Sequence, residues 1–169
     1  MLIQTPRLQI THFTPSMAFA VHKNSLDEDT RRFVPDEVFE TEEEAADTIA
    51  YLISCYTSGD GPLVYPVLLK NDLCIGYVQA IPMENGEWEI GYHIAKSYTG
   101  HGYATEAVIS FLPDILYQLG IDKIYGVCLA ENVASRKVME NAGFLQEFDG
   151  MGIYQGREQH IVRMVYRNF

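Results

Sequence analysis

The chain has 169 residues, enough for one domain with a proper core and too few for two that each bury sufficient apolar surface, so residues 1–169 are read as a single domain. Hydrophobic residues make up 47% and charged residues 21%, as expected of a soluble globular protein; no segment has the apolar length that crossing a bilayer needs, and no membrane partner is expected. The formal net charge of -11 opposes nucleic-acid binding and leans toward cationic small molecules or peptides.

The opening MLIQTPRLQIT has neither a basic n-region nor a long apolar run, so it does not read as a signal peptide. Cys55, Cys74 and Cys128 are odd in number and lack paired spacing. That argues against a disulfide framework or a zinc site and points to a reducing cytoplasm, with no metal expected.

In chain order, Leu2 and Arg7 to His12 read as one opening strand, closed by Thr14-Pro15 before a short helical stretch. Thr41 to Glu44 has the form of a capping box, and Ala45, Ile49, Leu52, Ile53 and Tyr56 follow at helical spacing until Gly59-Asp60-Gly61-Pro62 ends the helix. Three strand-like runs come next, Leu63 to Leu69, Leu73 to Ile81 and Glu87 to Ala95. Asn71-Asp72 and Asn85-Gly86 join them into an antiparallel meander.

The period then changes: Ala104, Ala107, Val108, Phe111, Leu112, Ile115, Leu116 and Leu119 share one helical face, with a kink expected at Pro113. Lys123 to Leu129 reads as a buried strand, Asn132 to Ala142 as a helix, and Gly143 as its stop. A right-handed crossover makes the strands ending at Ala95 and starting at Lys123 parallel. Phe144 to Asp149 and Gln159 to Tyr166 finish the sheet, separated by a loop carrying Gly150, Gly152 and Gly156.

Thr99-Gly100-His101-Gly102-Tyr103-Ala104-Thr105 places two glycines between a strand and a long amphipathic helix. Free amides and the positive dipole end suit an anion such as pyrophosphate, while a tight turn with purely geometric glycines accounts for the same pattern. No Gly-Lys-Ser/Thr follows, which excludes a nucleoside-triphosphate loop. A dinucleotide fingerprint fits poorly, with Ala104 and Thr105 in its third-glycine region and an antiparallel meander before it.

Four segments together carry a resemblance: Thr5-Pro6-Arg7-Leu8, Glu89-Ile90-Gly91-Tyr92, Gly100 to Ala107, and Asn132 to Phe144. In this order and at these separations the chain resembles the GNAT superfamily of N-acetyltransferases, in its ribosomal-protein-acetyltransferase-like (RimJ/RimL-type) branch. The resemblance implies an α+β (mixed α/β) fold. Its sheet is mostly antiparallel, of six to seven strands, with a splayed parallel pair in the middle and helices on both faces.

It further implies acetyl-CoA as donor, its pyrophosphate held by the amides from Gly100 to Thr105, with Gly102 and Ala104 in the motif's two small-residue positions. His101 and Tyr103 lie within that loop, and Thr99 stands where the motif has Gln or Arg. The pantetheine arm would lie against Tyr92 to Ile94 and meet Asn132, with Ser135 one turn on; Asn132 also suits a plain N-cap. Glu89 resembles the general-base glutamate of some members, acting through a water. Strand alternation puts His93 on the same face as a second candidate, and each reads equally as a solvent-facing strand residue.

Met139 stands where many members carry an acid tyrosine, so the thiolate leaves unassisted or takes its proton from another group. An amide of Tyr92 or Ile94 would stabilise the carbonyl oxygen. Ten of the 23 acids lie between Asp27 and Asp47, a rim for a cationic amine or a solvated helix face. Phe33, Val34, Pro35 and Phe39 form an acceptor lid or ordinary packing.

The leading expectation is therefore an amine N-acetyltransferase working by direct attack in a ternary complex, on a protein N-terminus or a small-molecule amine, as a monomer or homodimer. A non-catalytic acyl-CoA sensor and, on the Gly-x-Gly spacing alone, a nucleotide-binding oxidoreductase are the alternatives.

Overall fold

The computed structural model describes residues 1–169. The opening segment makes two strands where one is predicted, β1 (Ile3–Gln4) and β2 (Leu8–Ile10), paired antiparallel. Between them Pro6 cannot donate to a ladder, and the Thr5 hydroxyl accepts from the Leu8 amide at 2.8 Å, closing a turn.

Helix α1 (Ala18–Asn24), helix α2 (Glu28–Phe33) and a single 3-10 turn at Pro35–Glu37 lead to helix α3 (Glu42–Ser58). Thr41 caps α3 by accepting from the Glu44 amide at 3.1 Å. Glu44 returns its bond to the Glu40 amide at 2.8 Å, one residue before the one a standard capping box uses. Gly59, at φ 73°, ends the helix.

The meander follows as β3 (Leu63–Leu69), β4 (Cys74–Pro82) and β5 (Trp88–Ile94), then helix α4 (Tyr103–Leu119), strand β6 (Lys123–Leu129) and helix α5 (Val133–Asn141). Helix α4 runs unbroken through Pro113. Pro113 is exposed, and Ile109, whose carbonyl loses its partner, is also largely exposed, so water can satisfy the freed group.

Strands β7 (Leu145–Tyr154) and β8 (Arg157–Arg167) are much longer than their sequence reading. Gly150 and Gly152 lie within β7, and Gln155-Gly156 alone makes the turn, both at positive φ. A Cβ on Gly152 would stand 2.7 Å from Ile161 Cδ1, and one on Gly150 would stand 3.1 Å from the Phe148 ring. These glycines make room for packing inside a hairpin.

The eight strands form one sheet in the order β1-β2-β3-β4-β5-β6-β8-β7, one more than the upper expectation because the opening segment divides. Every neighbouring pair is antiparallel except β5 with β6. Helices cover both faces. Leu63, Tyr65 and Val67 pack with Phe111, Leu112 and Ile115 of α4, while Val64 and Tyr77 pack with Ala45 and Ile49 of α3 and Val21 of α1. Such double coverage explains why β3 is apolar almost throughout rather than alternating. No helix is long and apolar enough to cross a membrane.

Candidate active site

β4 and β5 stay in register from Gly76 opposite Ile94 to Pro82 opposite Trp88. On its other side β5 meets β6 at one bridged pair only, Glu89 with Tyr125. Beyond that point the two parallel strands part, leaving the β5 edge at Gly91–Ile94 without a strand partner on the β6 side. The Tyr92 hydroxyl spans the gap, donating to the Ser135 carbonyl at 2.8 Å and lying 2.9 Å from its Oγ. A cavity of about 480 Å³ fills the opening, lined by both strands, the N-terminal ends of α4 and α5, α2 and the tip of the β7–β8 hairpin.

At one end of the cavity, Gly100 and Gly102 hold φ of 80° and 79°, a region that L side chains adopt at a cost. Gly102 caps α4, and the first helical bond runs from the Glu106 amide to the Gly102 carbonyl at 3.0 Å. The amides of Tyr103, Ala104 and Thr105 therefore have no intrahelical partner and present the positive dipole end. Thr99, Gly100, Gly102, Tyr103, Ala104 and Thr105 line the cavity, and His101 does not. Its ring folds back on the Tyr98 and Thr99 carbonyls and stacks on Tyr103.

At the foot of the opening stands Glu89. Burial raises its pKa to about 7, with Arg163 working against the rise and Glu37 adding to it. Glu37, from the 3-10 turn after α2, is the second carboxylate of the site. Tyr77 donates a hydrogen bond to one of its oxygens and Gln79 Nε2 to the other, the latter at 2.8 Å.

Gly91 makes this possible, since a Cβ there would lie 2.5 Å from Gln79 Nε2. Burial raises the Glu37 pKa despite the two donors. Tyr154, at the end of β7, faces both acids across the cavity; burial first, then Glu89 and Glu37, push its phenol upward.

Residues 7–145 match the acetyltransferase (GNAT) domain. The chain is 31% identical to YnaD, an uncharacterized N-acetyltransferase of Bacillus subtilis, over 87% of this chain and 84% of that one. The chain belongs to the GNAT family of acetyltransferases. It is thus an acetyl-CoA-dependent acetyltransferase. The fold extends to a GNAT-family acetyltransferase of Bacillus anthracis, with a TM-score of 0.81 at 24% identity over 99% of this chain and 98% of that one. RimL, the ribosomal L7/L12 alpha-N-protein acetyltransferase in complex with coenzyme A, has a TM-score of 0.84 at 19% identity, again over 99% and 98%.

In this acetyltransferase Glu89, Tyr92, His93, Ile94, Asn132 and Ser135 all border the cavity. His93, however, is committed to a relay. Thr30 gives its proton to Asp27 Oδ2 at 2.7 Å, so its oxygen accepts from His93 Nε2 at 2.8 Å. Burial lowers the His93 pKa although Asp27 raises it, leaving a neutral imidazole that pins α2 to β5. Asn132 caps α5, its side-chain oxygen accepting from the Ser135 amide at 3.2 Å.

The acidic stretch divides. Asp27, Asp29, Asp36 and Glu37 line the cavity, while Glu42, Glu43 and Glu44 sit exposed in the first turn of α3. Phe33 and Val34 also line it, whereas Phe39 packs into the core under α3. Gln155 Nε2 donates to the Phe33 carbonyl at 2.8 Å, tying the hairpin tip to α2.

Met139 is buried against Gly126, where a Cβ would stand 2.3 Å from its Sδ, and offers no proton. Cys128 lines the cavity, but burial raises its pKa despite the Ser135 hydrogen bond; it stays a thiol, a poor nucleophile. Glu37, Gln79 and Tyr154 are the site residues that sequence reasoning missed. The first two are joined only by a contact across 42 positions, and Tyr154 lies within a stretch that reads as loop. No group of three or more His, Cys, Asp or Glu side chains is arranged to hold a metal ion.

Proposed function

We propose that the enzyme passes the acetyl group of acetyl-CoA directly to a primary amine that enters as a cation, a protein N-terminus or a small-molecule amine. The observation that carries this reading is Glu89, a half-buried carboxyl whose pKa is pushed up to about 7 at the foot of the opening between β5 and β6. A base of that strength is half ionised at neutral pH and strong enough to take an ammonium proton as the amine attacks.

In this scheme the amides from Gly100 to Thr105 hold the pyrophosphate of the donor, and the free β5 edge from Tyr92 to Ile94 pairs with its pantetheine arm as a strand would. Asn132 and Ser135 flank the same arm. Glu37 and Glu89 attract the ammonium, and Glu89 removes its proton, directly or through a water.

The neutral nitrogen then attacks the thioester carbon, and an amide of the β5 edge stabilises the negative oxygen that results. Collapse breaks the carbon–sulfur bond, and the second proton of the attacking nitrogen passes to the departing sulfur, directly or by way of a phenol that gives up one proton and regains another. The leaving thiolate, whose parent thiol has a pKa of about 8.5, needs little help, and Tyr154, a phenol lining the same cavity, is placed to pass it a proton. His93 serves as a positioning residue through Thr30.

Thermal unfolding with acetyl-CoA, coenzyme A and NAD in parallel, followed by thiol release against pooled amines, tests the proposal. Stabilisation by both coenzyme A forms and thiol release on adding an amine are expected. Stabilisation without release would favour a sensor, and absence of stabilisation would overturn the donor assignment.

A further inference from the structure

Thr5 and Arg7 lie outside the cavity, yet both reach the helix that bounds it. Arg7 Nε donates to Glu106 Oε2 at 2.6 Å, and its Nη1 donates to the His101 carbonyl at 2.8 Å. The guanidinium lies 4.6 Å from the Tyr103 ring centroid. Glu106 Oε1 accepts from the Thr5 hydroxyl at 2.6 Å and from the Arg7 amide at 3.2 Å. Residues about a hundred positions apart thus converge on the first turn of α4.

Glu106 is an odd neighbour for an anion. It stands in the first turn of α4, beside the free amides of Tyr103, Ala104 and Thr105, and its charge would repel a phosphate from them. The His101 carbonyl is a second electron-rich group in the same loop. One guanidinium engages both. Burial disfavours the Glu106 carboxylate, but the bonds from Thr5 and Arg7 outweigh it and keep the group ionised, so its charge is cancelled by pairing and not by protonation.

We infer that Arg7 is a positioning residue for donor binding, neutralising Glu106 and fixing the His101 carbonyl so that the loop presents only its amides to the pyrophosphate. The inference rests on the pyrophosphate reading of the loop. Side-chain exposure is 45% for Arg7 and 18% for Glu106, so solvent screens the pair only in part, and the test reads donor binding apart from fold stability.

The test compares wild type with Arg7→Met, Arg7→Lys and Arg7→Met/Glu106→Gln, measuring KM for acetyl-CoA, kcat at saturation, and Tm without ligand. Arg7→Met should raise KM by about tenfold, the scale of one charge at a helix terminus, with kcat within about twofold. Arg7→Lys should fall between wild type and Arg7→Met, because it keeps the charge without the fork. Removing the acid as well should recover most of the lost affinity, a rescue that a purely structural arginine would not allow.

An unchanged KM in Arg7→Met, or a double variant no better than the single, overturns the inference while wild type still binds the donor. Wild type that binds no coenzyme A overturns the loop reading itself.

Discussion

Replacing Glu89 with glutamine separates its proposed catalytic role from its structural cost. In the fold the carboxyl titrates at about 7 against an ordinary 4.5, so keeping it ionised above pH 8 costs the native state on the order of 3 kcal/mol. The folded value lies above the unfolded one, and the unfolded chain therefore gives up its proton first. The Glu89 contribution to stability is complete below pH 4.5, falls as pH rises, and is gone above 7.

Glu89→Gln cannot ionise. Urea unfolding should find the variant more stable than wild type at pH 8 by up to about 3 kcal/mol, with the difference shrinking toward zero near pH 4.5. Thiol-release assays should show kcat lower by about 10²–10⁴-fold, and the wild-type rise in kcat/KM through pH about 7 should vanish. A variant that keeps both the rate and the rising limb would place the base elsewhere; one whose stability gain is equal at pH 5 and pH 8 would refute the buried-charge argument.

Gly91→Ala puts a methyl where Gln79 Nε2 now passes; Gln79 should swing away from Glu37, raising the amine KM about tenfold while acetyl-CoA affinity stays constant. Calorimetric titration of the donor beside steady-state amine kinetics separates the two effects. Gly126→Ala drives a Cβ into Met139 Sδ, and an overpacked core should cost about 1–3 kcal/mol in denaturant unfolding. Adding Met139→Leu, which removes the sulfur from the clash, should recover part of that loss.

Much of the fold was legible because its signals are local. The apolar face of α4, the Thr41 cap and the β3–β5 meander each announce themselves within a few turns of chain. The β7–β8 hairpin did not, because Gly150 and Gly152 look like loop residues until Phe148 and Ile161 are seen to need the space. Pro6 likewise hid a hairpin inside what reads as one strand.

For the site, the loop from Thr99 to Thr105 was legible because a loop followed by a helix is contiguous, although His101 turns away from the cavity, and Glu89 entered through the family resemblance. Glu37 was invisible for the opposite reason: it sits in a 3-10 turn, and its partners Tyr77 and Gln79 come from β4, about 40 positions on. What distinguishes it from the other acids of its stretch is a glycine, Gly91, whose missing side chain leaves no trace in a one-dimensional pattern. His93 was found, but its task depends on Thr30 and Asp27, 63 and 66 positions away.

The solitary bridge between Glu89 and Tyr125 makes the sheet two panels, β1 to β5 and β6 to β8, stitched along a seam at one point. Helix α4 and the Tyr92–Ser135 clasp hold the panels from behind. Under the proposed function, the donor is then more than a reagent: lying along the open seam, it takes the place of the missing backbone ladder and joins the panels. Amide exchange at Tyr92–Ile94 should slow sharply when the donor binds, and quicken again once coenzyme A departs, so that each catalytic cycle also mends and parts the sheet.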